Sequence, residues 1–233
     1  MTQHTHDEVE HEVVNKRKGG STTERFFDAY RKPLMIIGLV LVIGVGGYFA
    51  YDYGYKRPKE EEAHNAYWRA YNWFMIDSTN WALNGQGDFL GFEGVIAQYP
   101  GTEAAELSHF CAGTIYRDKK DWGNALAHFQ EVSVDDQAIS VYTAGNIGDI
   151  YVEMGNFDEA AKAFEKAINL SRSNATRDYL AGEYSLKAAR VYMEQGNKEK
   201  AKEVLAKSLE GANKRSASYA EAEKLLNMLK AQG

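Results

Sequence analysis

Cys111, His109 and His128 are the side chains best suited to chemistry in this 233-residue sequence, and their surroundings point away from catalysis. A thiol nucleophile needs a neighbouring base or cation to populate its thiolate. Cys111 instead sits between Phe110 and Ala112 on a stretch with helical periodicity that also carries Tyr116, the setting of a small buried hydrophobe. It is the sole cysteine, so it has no intramolecular disulfide partner. His109 and His128 lie in separate helical stretches and read as isolated boundary histidines. His4, His6 and His11 fall in a polar N-terminal segment that lacks the preformed geometry a metal ion needs. Asn174-Ala175-Thr176 matches a glycosylation acceptor, which matters only in a eukaryotic secretory compartment. With no phosphate-binding glycine loop, zinc-binding helix motif or nucleophile elbow, the sequence predicts a non-enzymatic chain with no cofactor and no metal.

What remains is recognition, and a repeated pattern provides for it. Tyr116, Ala125 and Phe129 recur as Tyr151, Ala160 and Phe164, and again as Tyr192, Ala201 and Leu205, with identical internal spacings. The period, 35 residues and then 41, is that of paired helices stacked in a solenoid. In each unit the Tyr closes a first helix, the small Ala lets a second helix approach, and the Phe or Leu four residues on fills the space between pairs. Gly155-Asn156 and Gly196-Asn197 suit the turn between helices, since both residue types tolerate left-handed backbone angles. The longer second period calls for extended helices or a turn at residues 171–174. The unit from Val141 to Asn174, with Gly148, Tyr151, Met154-Gly155-Asn156 and Phe157-Asp158-Glu159-Ala160, closely resembles the tetratricopeptide repeat.

A more degenerate pair precedes these units. Ala63, Tyr67, Ala70, Tyr71 and Phe74 share a helical face, a glycine-containing loop is expected over residues 77–88, and Phe92, Val95, Ile96 and Tyr99 lead into Pro100-Gly101. Tyr219, Ala222, Leu225, Leu226 and Leu229 read as a capping helix. The repeat register places Phe110, Thr114, Tyr142, Asn146, Asp149, Lys187 and Arg190 along the groove formed by first helices, where a protein partner would bind. They differ from the Lys/Asn/Arg clamp with which some cytosolic relatives grip chaperone tails. From Asp52 onward the chain holds 21 basic and 27 acidic residues and no long basic stripe, which speaks against nucleic acid as a partner.

Ahead of the repeats, Lys32 and Asp52 bracket 19 charge-free residues, enough for one helix to cross a hydrocarbon core of about 30 Å. Six basic residues precede the stretch (Lys16, Arg17, Lys18, Arg25, Arg31, Lys32) and three follow it (Lys56, Arg57, Lys59), favouring a cytoplasmic N-terminus. Phe26, Phe27 and Tyr30 on one side and Tyr48, Phe49, Tyr51, Tyr53 and Tyr55 on the other suit headgroup level. No small-x-small site follows, so the segment is expected to remain as a signal anchor. Gly46, Ala50 and Gly54, four residues apart, would let another membrane helix pack closely.

The predicted organisation is all-α: residues 1–32 a cytoplasmic tail, largely disordered; 33–53 a transmembrane helix; 54–233 an extracytoplasmic tetratricopeptide-like solenoid. The order of features resembles the YfgM family, ancillary subunits of the Sec translocon. The resemblance is carried by Arg25-Phe26-Phe27, Arg31-Lys32, the glycine-rich span ending in Gly46-Gly47-Tyr48, and the Ala/Tyr-rich helix after it, and it covers about residues 24–210. It implies a single-pass protein of the bacterial inner membrane with a periplasmic domain. Its implied partners are the SecYEG channel, a PpiD-like chaperone and newly translocated envelope proteins. A scaffold subunit of a secretion or division complex, or a mitochondrial import receptor, would share the anchor and the repeats.

Overall fold

The computed structural model describes residues 22–172, 178–210 and 216–231, and they contain helices and no strand. The basic Lys16–Lys18 run, the tail histidines and the Asn174 acceptor triplet lie outside them. The chain divides at Pro58 into two compact units.

The first unit holds α1 (Thr22–Tyr51), which starts eleven residues before the predicted span, and a π-helical turn, Asp52–Lys56. Every residue from 30 to 51 is exposed, including Ile36, Val40, Val42 and Ile43. A contiguous aliphatic surface of this extent is long and apolar enough for a bilayer interior. Among the described residues this is the one helix long and apolar enough to cross a membrane. At its end the rings of Phe49 and Tyr53 stack, and Tyr51 lies against Tyr55. The π turn has a visible consequence. Residues five apart on a regular α-helix point about 140° away from each other. Here the Arg57 amide donates to the Asp52 carbonyl, and Arg57 Nε meets Asp52 Oδ2 at 2.8 Å while its guanidinium covers the Tyr53 ring at 4.0 Å.

The second unit takes up helix α2 (Arg57–Met75) from Lys59 onward, and its buried Ala63, Tyr67 and Ala70 fall at helical spacing on one face. The stretch expected as a loop instead folds into α3 (Thr79–Asn84), with Ala82 and Leu83 buried; one and a half turns are too short for periodicity to announce. Then come α4 (Phe92–Gln98), α5 (Glu103–Asp118), α6 (Trp122–Gln130), α7 (Gln137–Glu153), α8 (Phe157–Arg172), α9 (Asp178–Glu194), α10 (Lys198–Leu209) and α11 (Ala217–Ala231).

The repeat register holds residue by residue. Ala125, Ala160 and Ala201 are fully buried, as are Phe129, Phe164 and Leu205, and the ring of Phe129 lies over Gly113 as that of Phe164 lies over Gly148. Each first helix ends the same way. The amides of Asp121, Asn156 and Asn197 donate to the carbonyls of Tyr116, Tyr151 and Tyr192 at 2.8–2.9 Å, and the intervening Lys120, Gly155 and Gly196 take φ of 61°, 74° and 74°. Asp121 and Asn197 then cap α6 and α10 by accepting from the amides of Asn124 and Lys200. Helices α7 and α9 are equally long, whereas α8 has 16 residues and α6 only 9, so an extended second helix accounts for the longer second period. One apolar cluster joins α2–α5, a second joins α6 to Ile150 of α7, and the largest runs from Val141 through Leu229 of α11. The chain thus carries a tetratricopeptide-type helical repeat domain.

Candidate functional site

First helices α5, α7 and α9 carry the predicted groove residues at spacings of three or four, which places each set on one side of its helix. The structure sorts them into distinct roles. Phe110 turns partly inward and meets the edge of Phe129, with ring centroids 5.8 Å apart. Thr114 donates its hydroxyl to the Phe110 carbonyl of its own helix at 2.9 Å. Phe110 thus contributes to packing, and Thr114 is half-buried.

The polar members form cross-links between successive first helices. Arg117 of α5 donates to the Asn146 amide oxygen of α7. Lys187 of α9 grips both oxygens of Asp149 of α7, at 2.8 and 3.0 Å, and lies 3.9 Å from Glu183. Arg190 of α9 reaches Glu221 of α11 at 2.5 Å. Asn146, Asp149, Lys187 and Arg190 are thus brought together pairwise into a ladder that runs from α5 to α11. Sequence reasoning missed the other half of it, Arg117 and Glu221; Arg117 stands three residues from Thr114, the spacing of the same helix face. Such partly exposed pairs contribute about 0–1 kcal/mol each. Their energy is small enough that a partner's charge can exchange with one of them. Tyr142 and Arg190 are the exposed members, and Tyr142 offers an aromatic body with a polar tip, a side-chain type enriched at protein interfaces.

On the opposite edge of the repeats, Tyr192 donates to Glu165 at 2.5 Å and Tyr116 to Glu93 at 2.8 Å, each tying a first helix to the second helix of the preceding pair. Glu93 follows the buried Phe92 as Glu165 follows Phe164, which identifies α4 as a shortened second helix.

The chemically capable side chains are placed as follows. Cys111 is buried with its Sγ 3.9 Å from the Tyr67 hydroxyl, and burial pushes the thiol up to about 12 and the phenol above its ordinary value. A thiol so desolvated is a poor nucleophile. His109 and His128 are not isolated, contrary to expectation: their Nδ1 atoms lie 3.1 Å apart. Nineteen residues of sequence separate them, but α5 and α6 are antiparallel partners, and that pairing closes the gap. Among the described residues, no group of three or more His, Cys, Asp or Glu is placed to hold a metal ion. In the first unit, Gly46 and Ala50 lie on α1 and Gly54 in the π turn, and a methyl group added at Gly46 or Gly54 would meet nothing within 4 Å.

Comparison with known proteins agrees with this geometry. Residues 137–214, from α7 through α10, match the model of the tetratricopeptide repeat family. A 79-residue stretch is 37% identical to neutrophil cytosol factor 2 of Bos taurus, covering 34% of this chain and 14% of that protein's length. The α5–α6 pair lies outside the family match, yet its Ala125, its Phe129 over Gly113 and its helix-ending turn at Lys120 repeat those of the matched pairs. A tetratricopeptide domain is a protein-interaction module, and no catalytic family is indicated.

Proposed function

We propose that this chain is a membrane-anchored adaptor. Helix α1 fixes it in a bilayer with the N-terminal segment on the cytoplasmic side, and the repeat domain, on the other side, engages proteins through its first-helix face. The carrying observation is the ladder Arg117–Asn146, Asp149–Lys187 and Arg190–Glu221, which makes the first helices one continuous polar surface, with Tyr142 and Arg190 exposed on it. Its weak, exchangeable pairs suit reversible contact with a protein rather than chemistry.

The resemblance carried by Arg25-Phe26-Phe27, Arg31-Lys32 and the glycine-rich span supports a more specific placement in the bacterial inner membrane beside the SecYEG channel. There the domain would receive or pass on newly translocated envelope proteins together with a PpiD-like chaperone. Gly46, Ala50 and Gly54 are the positions at which the channel's helices would approach. Chemical crosslinking in native membranes, followed by affinity recovery of the full chain, tests both levels of this reading. Channel subunits and a membrane-anchored chaperone are the expected products. Recovery of a different envelope assembly overturns the translocon placement, and recovery of no protein partner overturns the adaptor reading itself.

A further inference from the structure

At the junction of α4, α5 and α6, three polar side chains contact one another pairwise and a fourth, His109, joins them at His128, a cluster that the adaptor reading does not use. Glu93 Oε1 accepts from the Tyr116 hydroxyl at 2.8 Å and lies 3.2 Å from His128 Nε2. Tyr116 stacks on the His128 ring, with centroids 5.3 Å apart and planes 14° from parallel. His128 Nδ1 faces His109 Nδ1 at 3.1 Å. The remaining charged groups around the pair are Glu106 on α5, Asp121 at the start of α6 and Glu131 at its end. Helix α7 presents Ile147 and Ile150 to the apolar cluster that Tyr116 borders.

We propose that His109 and His128 form a proton-operated joint: the pair holds one added proton with its contact intact, and a second added proton parts the rings and loosens α6 from α5. The hydrogen-bond count leads there directly. An ionised Glu93 can only accept, so His128 carries its proton on Nε2 and, when neutral, has a bare Nδ1. His109 must then donate from its own Nδ1, which leaves His109 Nε2 as the open nitrogen. The first proton goes to that nitrogen and leaves the Nδ1···Nδ1 hydrogen bond in place. The second can only enter the shared Nδ1···Nδ1 contact, where two N–H groups would face each other between two cations. His128 is held by Glu93 and by the Tyr116 ring, so His109 is the ring that leaves.

The electrostatics disfavour two cations in this contact. Burial, and then the neighbouring ring, hold His109 below the ordinary histidine value of 6.5, against an upward pull from Glu131, Glu93 and Glu106. A base with a lowered value in the folded state contributes stability that is complete above its ordinary value and lost as pH falls toward the lowered one. The joint is therefore closed at neutral pH and opens in acid. Its position matters because α4 and α5 connect the pair nearest the anchor in sequence to the repeats that carry the interaction ladder.

The test uses the full chain in lipid nanodiscs. Hydrogen exchange, corrected for the intrinsic pH effect, is compared between about pH 7.5 and about pH 5. Peptides from α6 should lose protection by about tenfold in acid, the effect of one linked proton over one pH unit, while α9 and α10 hold theirs. His109→Gln removes the first cation, and its amide can turn either its oxygen or its NH2 toward His128 Nδ1, so no two cations meet and the loss should be abolished; His64→Gln, on the exposed part of α2, should keep it. An undiminished acid loss in His109→Gln, or none in the unsubstituted chain, overturns the proposal. Nitrogen-15 spectra of the unsubstituted protein give an answer even if the variant fails to fold. Two coupled steps shared by both rings are expected, and two independent single-step titrations overturn the joint.

Discussion

The ring of Phe164 lies so close to Gly148 that a methyl group on that glycine would stand 2.5 Å from its edge. This one approach sets how near α7 and α8 can come. Gly148→Ala should destabilise the domain by about 1–3 kcal/mol through overpacking. Phe164→Ala, which leaves a cavity at the same place, should cost about 3–5 kcal/mol. Gly123 on α6 faces open space, so Gly123→Ala should be neutral or stabilising by up to about 1 kcal/mol. Urea unfolding followed by circular dichroism ranks the three.

Lys120 takes the left-handed conformation that Gly155 and Gly196 adopt in the later repeats. A side chain there costs about 1–2 kcal/mol. Lys120→Gly should recover about 1 kcal/mol, and Gly155→Ala should lose about as much, in the same unfolding measurement.

Burial, with the Cys111 thiol pushed up to about 12, makes the native cysteine slow to label. At about pH 8 the folded chain should react with maleimide on the order of 10³-fold more slowly than a free thiol, and the difference should vanish in denaturant.

That inertness makes a topology assay simple. The side chain of Glu199 is 85% exposed at the start of α10, so Glu199→Cys should be the one fast-labelling site of the described repeat domain. The proposed orientation predicts labelling by a membrane-impermeant maleimide in intact cells. Labelling only after lysis would reverse the orientation.

Much of the repeat architecture is legible in the sequence because it rests on short-range spacing. Tyr151, Ala160 and Phe164 sit at fixed offsets, and Gly155 marks the one backbone position that needs a positive φ. Lys120 fills the equivalent position in the earlier repeat without a glycine, so the turn there shows only in the coordinates. The pair containing α4 reads only as degenerate, because α4 is short and its partner helix carries no repeat signature. The recurring dipeptides Phe92-Glu93, Phe129-Gln130 and Phe164-Glu165 are the signal that aligns it. The His109–His128 contact and the Arg190–Glu221 pair follow from how helices stack in space, which no local periodicity encodes. On the first-helix face the contact of Phe110 with Phe129 of the next helix is equally nonlocal, whereas Thr114 bonds to its own helix.

Site-specific photocrosslinking in living cells tests the central claim, that the first-helix face binds proteins, most directly. A photoreactive residue is placed at Tyr142 or Arg190 on that face, and at the exposed Lys166 on the second helix α8 as a control. The account predicts discrete protein adducts from positions 142 and 190 and few or none from 166. Adducts from 166 alone, or equally from all three positions, would contradict it.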